Sequence, residues 1–578
     1  MVRTSYTVGQ YLVDRLRALG VRHLFSVSGP CCAEWLHHYV ESTPSIQRFA
    51  TATAANTGYA ADGYARLNGI GAACVPHSVG AFPLLSPIAG AFVERVPVVV
   101  VNGAPAPSAS PCERPRPNIG GPDGNRQVYD SVTAATTSIT SPERAPTQID
   151  RTLRTCLRAR RPVYLEPRAD VLHCPCPPPD TPLSISTPSA PSSTEARATI
   201  ADHLREAGST VVWGGIEIQR YGLEREFADL LQALDVPYVT SLLGKGLLPE
   251  DHPQFAGVLA PEGTPPALQS LVSSADYVLG LGVDPSAEPC PPSVQKTGAA
   301  TFVTTNDDSP APGADEPRLV RSSGSHLQTL LTNLTQTNDS CHPPRTGPTV
   351  AARTRQTVTT DGPTPPTSPE ADITYDGFYH TVADYVTDNT IVVGGTGLDR
   401  FGSRQLRIPS PSGFVCQAAY RDVGHAPPAA IGADLASDDE RVLVIVGDGG
   451  FQMTAQCVGT MAEKGIDPIL FVLNNGVYGS EQRRLNADTF TEDAPVAPQA
   501  LLQQWHYRKL PDAMGGKGWR AETVGELTAA VEEAFKYTGG PLLIDVRVAQ
   551  RSLPHLAIAG LDAPERDRES TLPSVSSP

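Results

Sequence analysis

Residues Val442 to Gln482 read VLVIVGDGGFQMTAQCVGTMAEKGIDPILFVLNNGVYGSEQ, and this stretch decides the fold class. An apolar strand runs to Val446 and turns at once through Gly447-Asp448-Gly449-Gly450. A helical segment follows, and a second apolar strand ends at Asn474-Asn475. Asp448 and Asn475 stand 27 positions apart (475 − 448), the length of one helix plus one strand. In a parallel βαβ unit both leave the sheet at the same edge, where open α/β sheets bind ligands. A carboxylate and an amide oxygen then lie side by side, and the glycines let a phosphate approach the backbone. Mg²⁺ prefers such oxygen ligands and shares its octahedral shell with phosphates.

The same alternation extends outward. Short apolar strands read at His23–Val27, Val98–Val101, Val163–Leu165, Thr210–Trp213, Tyr277–Leu281, Thr301–Thr305, Thr390–Val393 and Leu542–Val546. Helical segments lie between them; the first starts at a Thr7…Gln10 capping box and stops at Gly20. Strands that are apolar throughout belong to parallel sheets buried on both faces. The expected fold class is α/β, with three doubly wound domains and mainly parallel sheets. Two Pro/Ser/Thr-rich stretches, 171–195 and 336–371, read as linkers running extended over the surface. They divide the chain into 1–180, 196–335 and 372–562, with 563–578 read as a disordered tail. No short internal repeat is visible.

At 578 residues the chain exceeds one compact core. Forty-five basic against 61 acidic residues give a net charge of −16, which offers no general attraction for nucleic acid or an anionic membrane. No run approaches the ~20 apolar residues of a membrane span. The amphipathic N-terminus lacks the apolar core of a signal peptide. The 11 cysteines form neither a zinc pattern nor a disulfide framework, so a cytoplasmic setting is expected.

The quoted stretch resembles the diphosphate-binding motif of thiamine diphosphate (ThDP) enzymes, which couples GDG to NN at this spacing. Asn56-Thr-Gly-Tyr-Ala-Ala-Asp-Gly-Tyr-Ala-Arg66 resembles the pyrimidine-domain helix of pyruvate and indolepyruvate decarboxylases. So do Val96–Pro105 and Arg161–Glu166, while Gly244–Pro253 resembles a middle-domain segment. Gly394-Gly-Thr-Gly397 resembles the first diphosphate loop, and Arg421–Gly432 the loop whose apolar residue bends the cofactor. The resemblance implies pyrimidine-binding (1–180), middle (196–335) and diphosphate-binding (372–562) domains. It implies cofactor contacts at Gly395, Thr396, Val423, Gly447, Asp448, Gly449, Gly450, Asn475 and Val477. Asp448, Asn475 and the Val477 carbonyl would hold Mg²⁺ on the diphosphate, with Val423 as the wedge. It also implies a homodimer or homotetramer with active sites at the subunit interface.

The expected reaction is non-oxidative decarboxylation of a 2-oxo acid with release of an aldehyde. The rivals are a carboligase, a degenerate ThDP-binding homologue and a flavin-containing synthase. Most family members place a Glu against the pyrimidine ring; the aligned residue here is Ala54, an apolar occupant that glyoxylate carboligases also resemble. Pro30 follows Gly29 where an acidic residue is usual, and no His pair occurs near Arg114-Pro115. The loop 105–126, with Arg114, Arg116 and Arg126, reads as a solvated loop or as an anion-attracting lid. His77 reads as a proton-transfer group or a satisfied loop histidine. Glu481 matches the acidic residue that faces the reacting carbon, and is also a normal partner for a helix start. Cys31 and Cys32 read as small buried residues before any nucleophilic role.

Overall fold

The computed structural model describes residues 6–106, 123–183, 193–295, 297, 299–306, 318–338, 368–437, 439–492 and 494–558. The predicted tail 563–578 and residues Arg114 and Arg116 lie outside these. Three six-stranded sheets, parallel throughout, with helices between most successive strands, give the three α/β domains. The first contains β1 His23–Ser26, β2 Gln47–Ala50, β3 Gly71–Val75, β4 Val98–Asn102, β5 Ala135–Ile139 and β6 Val163–Pro167. The second contains β7 Thr210–Gly214, β8 Tyr238–Ser241, β9 Phe255–Leu259, β10 Tyr277–Leu281, β11 Ala299–Thr304 and β12 Arg318–Arg321. The third contains β13 Thr390–Gly394, β14 Phe414–Cys416, β15 Arg441–Gly447, β16 Ile469–Asn474, β17 Lys517–Ala521 and β18 Leu542–Arg547. β3, β4, β13 and β16 are buried at every residue, which is why they read as continuous apolar runs.

The first sheet has the order β2-β1-β3-β4-β6-β5 and the third β14-β13-β15-β16-β18-β17, so the two share one topology. No sequence period announces this likeness, because only the spatial order of the strands repeats. The two domains meet through helices Ala54–Asn68 and Ala426–Ala436. A Cβ on Gly63 would strike the Ala429 carbonyl, and one on Gly432 the Ala60 carbonyl. Each helix thus supplies a glycine at the point where the other's backbone passes. Ala60, Ala61, Ala65, Ala429, Ala430 and Ala433 join one core shared by both domains.

The first helix, Val8–Ala18, starts where the capping signal places it: Thr7 Oγ1 accepts the Gln10 N–H at 3.4 Å. The first linker is less extended than its composition suggests. Helix Ala169–Leu172 buries Val171 and Leu172, Cys176 N–H binds the Tyr6 carbonyl, and Ser193 opens a helix to Glu206. Proline there limits hydrogen bonding, but the flanking apolar side chains still find a core. In the second linker, helix Gly324–Asn338 runs into the predicted boundary, and the segment 339–367 lies outside the described residues.

Candidate active site

β13, β15 and β16 lie side by side, so their carboxyl ends form one edge. Gly395, Thr396, Val423, Gly447, Asp448, Gly449, Gly450, Asn475, Val477 and Glu481 line one cavity of about 990 Å³ there. His77 is not in that lining, nor is any other residue of the first domain. Pro261, Glu262 and Pro292 of the middle domain close its side.

Asp448 begins helix Asp448–Thr454 and is 1% exposed. Its Oδ2 accepts the Gly476 N–H at 2.8 Å and its Oδ1 the Gly449 N–H at 3.0 Å. Burial pushes its pKa up to about 6 despite those donors. Asn475 Nδ2 donates to Tyr375 Oη at 3.1 Å, and its Oδ1 accepts the Val477 N–H at 3.1 Å. Both amide ends are therefore fixed. A Cβ on Gly449 would collide with the Tyr478 ring and one on Gly395 with the Asp399 carboxylate. Asp399, overlooked in the sequence, is buried with Oδ2 unpartnered, and burial raises its pKa to about 6. Only its position next to the Gly394–Gly397 loop could have flagged it.

These features fit a metal-bound diphosphate. Asp448 has no ion pair to a basic side chain among the described residues, and a buried carboxylate without a cation is costly. No cluster of three His, Cys, Asp or Glu forms among the described residues. A cation here would therefore complete its shell with an amide, a carbonyl and phosphate oxygens, as Mg²⁺ does.

Val423 sits 43% exposed on a loop braced by the first domain of its own chain. Tyr59 Oη and Ser86 Oγ donate to Asp422 at 2.7 and 2.6 Å, and Glu94 accepts the Ala419 and Tyr420 N–H groups. His425 Nε2 lies 2.8 Å from Asp62, which also pairs with Arg66 at 2.7 Å. Burial alone would raise Asp62, but Arg66 and His425 hold it well below the usual carboxylate range. Arg421 and Gly424 have φ of 63° and 100°, the two left-handed bends that present Val423 between them.

Glu481 opens the exposed side of helix Gly479–Leu485 and pairs with Arg484. His77 follows β3 in a turn where Ser78 has φ 61°. Asn125 Nδ2 stands 3.1 Å from His77 Nδ1, and Asn125 Oδ1 accepts the Ser78 hydroxyl at 3.4 Å. With this amide orientation His77 Nδ1 is an acceptor, so the neutral ring carries its proton on Nε2. Ala54, 8% exposed, is the first residue of its helix, whose cap is Thr53. Two residues on, Asn56 is fully buried with neither amide atom hydrogen-bonded. Cys32 is buried and its thiol reaches the Gly29 carbonyl at 3.3 Å, with its pKa lowered chiefly by a hydrogen bond from Cys74, while burial pushes Cys31 up to about 11, so Cys31 is no ready thiolate.

The middle sheet, β12-β11-β10-β7-β8-β9, reverses between β7 and β10, the place where such sheets take nucleotides. Here Glu217, Asp284 and Glu288 are buried at that edge, and Arg95 of the first domain reaches Glu217 at 2.9 Å and Asp284 at 3.2 Å. Protein charges fill the crevice and oppose a diphosphate.

Comparison with known proteins agrees in extent. Residues 6–115, 197–314 and 395–546 match the N-terminal TPP binding, central and C-terminal TPP binding domains of thiamine pyrophosphate enzymes. An alpha-keto-acid decarboxylase of Mycolicibacterium paratuberculosis is 30% identical over 566 residues, 96% of each chain. One from Mycobacterium leprae is 30% identical over 574 residues, 98% of this chain and 97% of that protein. One from Mycobacterium tuberculosis is 30% identical over 579 residues, 97% and 98% of the two chains.

Proposed function

Since the chain belongs to the thiamine pyrophosphate enzyme family, we propose that it is a ThDP- and Mg²⁺-dependent decarboxylase of a 2-oxo acid that releases an aldehyde. The observation that carries this is Asp448, a buried carboxylate at a glycine cradle with no ion pair among the described residues. It lies in a chain alike along nearly its whole length to alpha-keto-acid decarboxylases.

Asp448, the Asn475 amide and the Val477 carbonyl would hold the metal on the diphosphate, and the turns at Gly395–Gly397 and Gly447–Gly450 would receive its oxygens. Val423 would support the bound cofactor as the wedge. When bound, ThDP supplies the carbon nucleophile that adds to the 2-oxo group and takes up the electrons left as CO₂ departs. The protein's own part is positioning and proton transfer. Glu481 exchanges a proton at the reacting carbon, and His77 at the carbonyl-derived oxygen. His77 comes from the first domain of a second copy, so the working unit is a homodimer or a pair of them. Two observations support that: the cavity lining lacks first-domain residues, and Val423, Met453, Tyr420 and Val79 leave apolar surface exposed. The free cysteines among the described residues suit a cytoplasmic setting.

Carboligation is the second reading, favoured by Ala54, which can exchange no proton with the pyrimidine ring. CO₂ release from a panel of 2-oxo acids, with products analysed with and without an added aldehyde, tests both. No CO₂ from any acid by protein loaded with ThDP and Mg²⁺ rejects both readings.

A further inference from the structure

One group of charges in this cavity takes no part in the chemistry above. The guanidinium carbons of Arg400, Arg404 and Arg483 stand 4.5, 5.1 and 5.4 Å from the centre of the Phe401 ring. Arg400, Arg421, Arg483 and Arg484 line the cavity. Few acceptors answer them. Arg484 is paired with Glu481, and Arg483 with Glu262 at 2.8 Å. Arg404 donates to the Glu262 carbonyl at 2.9 Å, and Arg421 to the Ala418 carbonyl at 3.3 Å. The Arg400 guanidinium makes no hydrogen bond or ion pair with any described residue and rests on the Phe401 face. Burial, with Arg421 and Arg483 adding repulsion, lowers its pKa to about 10, so it stays charged at neutral pH.

The charged neighbours of Arg400 are Arg421, Glu262, Arg483, Arg404 and Asp399, whereas the basic neighbour of Asp448 is Arg547. Arg404 and Arg483 both reach Glu262, so this part of the group stands against the middle domain. Three guanidiniums around one ring, with Arg421 beside them, outnumber the carboxylates of Glu262 and Asp399 and leave an unbalanced positive site that a planar oxyanion can fill.

We propose that Arg400, flanked by Arg421 and Arg483, receives a second anionic group on the substrate, so that the acid handled is a 2-oxo dicarboxylate or a 2-oxo acid with another distal oxyanion. This deepens the decarboxylase reading and rests on it. The distal group makes and breaks no bond; the fork of Arg400 orients the acid so that its 2-oxo end faces Glu481. The same chemistry could instead come from the cofactor's diphosphate, and the test separates the two.

Protein loaded with ThDP and Mg²⁺ is titrated by calorimetry with glutarate and, as the matched monoanion, with pentanoate. CO₂ release is followed with the 2-oxo dicarboxylate and the 2-oxo monocarboxylate of the same chain length. Glutarate is expected to bind at least tenfold tighter than pentanoate, with kcat/KM at least tenfold higher for the dicarboxylate. Arg400→Gln should cancel both ratios and Arg400→Lys keep part of them, with ThDP affinity shifted less than threefold. Equal binding of the two acids by the unmodified protein overturns the proposal, whether or not the variants fold. So does an Arg400→Gln protein that keeps the ratios, or one that loses ThDP instead. Selective glutarate binding that depends on Arg400, with no CO₂ from any 2-oxo acid, supports the anion site and overturns the decarboxylase reading.

Discussion

The carboxylate of Asp448 accepts the backbone N–H of Gly476 at 2.8 Å, so one side chain joins the turn after β15 to the turn after β16. Its other oxygen holds the Gly449 N–H. Structural and metal-binding roles of Asp448 can therefore be separated. Asp448→Asn keeps one acceptor oxygen but faces its NH2 to the second N–H and removes the charge, so it should weaken Mg²⁺-dependent ThDP binding at least 100-fold while the fold persists with a modest change in Tm. Asp448→Ala should abolish cofactor-dependent CO₂ release. Calorimetry and thermal melts check both; unchanged turnover in the alanine variant contradicts the metal assignment.

The crossing of helices Ala54–Asn68 and Ala426–Ala436 predicts a sharp steric threshold. Gly63→Ala places a methyl group against the Ala429 carbonyl, and backbone cannot yield as a side chain can. We expect a Tm loss of several degrees or failure to fold. Gly459→Ala is the contrast: it lies in helix Cys457–Lys464, and its new Cβ meets nothing nearer than Met514 at 3.8 Å. Removing that helical glycine should stabilise by ~0.5–1 kcal/mol. Equal destabilisation of the two variants would refute the close-approach argument.

These helices also mark where sequence reading stops. Continuous apolar runs such as Val98–Val101 reveal a doubly covered parallel strand, because burial on both faces leaves a local signature. The GDGG turn and the Asn pair are legible for the same reason: one βαβ unit brings them together. The shared strand order of the first and third domains has no such trace, since it depends on which strands pair across long separations. Arg400 and Asp399 stayed invisible as site candidates because an Arg or Asp after a glycine loop looks like any solvated turn until its partners are seen. Tyr59 and Glu94 brace the Val423 loop from more than 300 residues away in the chain, a relation no local pattern carries.

Glu288 predicts the pH dependence of the middle domain. It is fully buried, its partners are the Ser241 hydroxyl and the N–H groups of Asp284 and Ile216, and the Asp284 carboxylate faces it. Burial raises its pKa from 4.5 to about 8. The folded protein holds this proton where the unfolded chain has released it. The stabilisation is complete below the unfolded value and is lost as pH rises through about 8. Tm should fall between pH 5 and 9, and Glu288→Gln should flatten that fall and raise Tm at the alkaline end. A variant as steep as the parent would show that Glu288 is ionised in the fold.

Glu481 can be tested apart from cofactor binding, since it lies on helix Gly479–Leu485 and its protein partner is Arg484. Glu481→Gln should leave ThDP affinity within threefold while slowing aldehyde release at least tenfold. With an added aldehyde, the share of carboligation product should rise, because a slowly protonated carbon survives to meet an acceptor. Stopped-flow kinetics and product chromatography read the two effects. Loss of ThDP binding instead would place Glu481 at the diphosphate.

Ala54→Glu asks whether the missing carboxylate can be restored. A carboxylate in a first helical turn gains ~0.3–1 kcal/mol from the exposed N–H groups. Position 54 is 8% exposed, however, and desolvation without a partner raises a carboxyl pKa. The cofactor-free variant should therefore melt below its parent, by a wider margin at pH 8 than at pH 5, because the neutral acid is easier to bury and its stabilisation is lost as pH rises through the raised folded value. ThDP with Mg²⁺ should then raise Tm more in the variant than in the parent, since the pyrimidine ring supplies the missing partner. Exchange of the C2 hydrogen of bound ThDP, followed by NMR in deuterated water, should quicken at least tenfold. If the variant folds and binds ThDP yet exchanges at the parental rate, Ala54 does not face the pyrimidine ring and another group performs that activation.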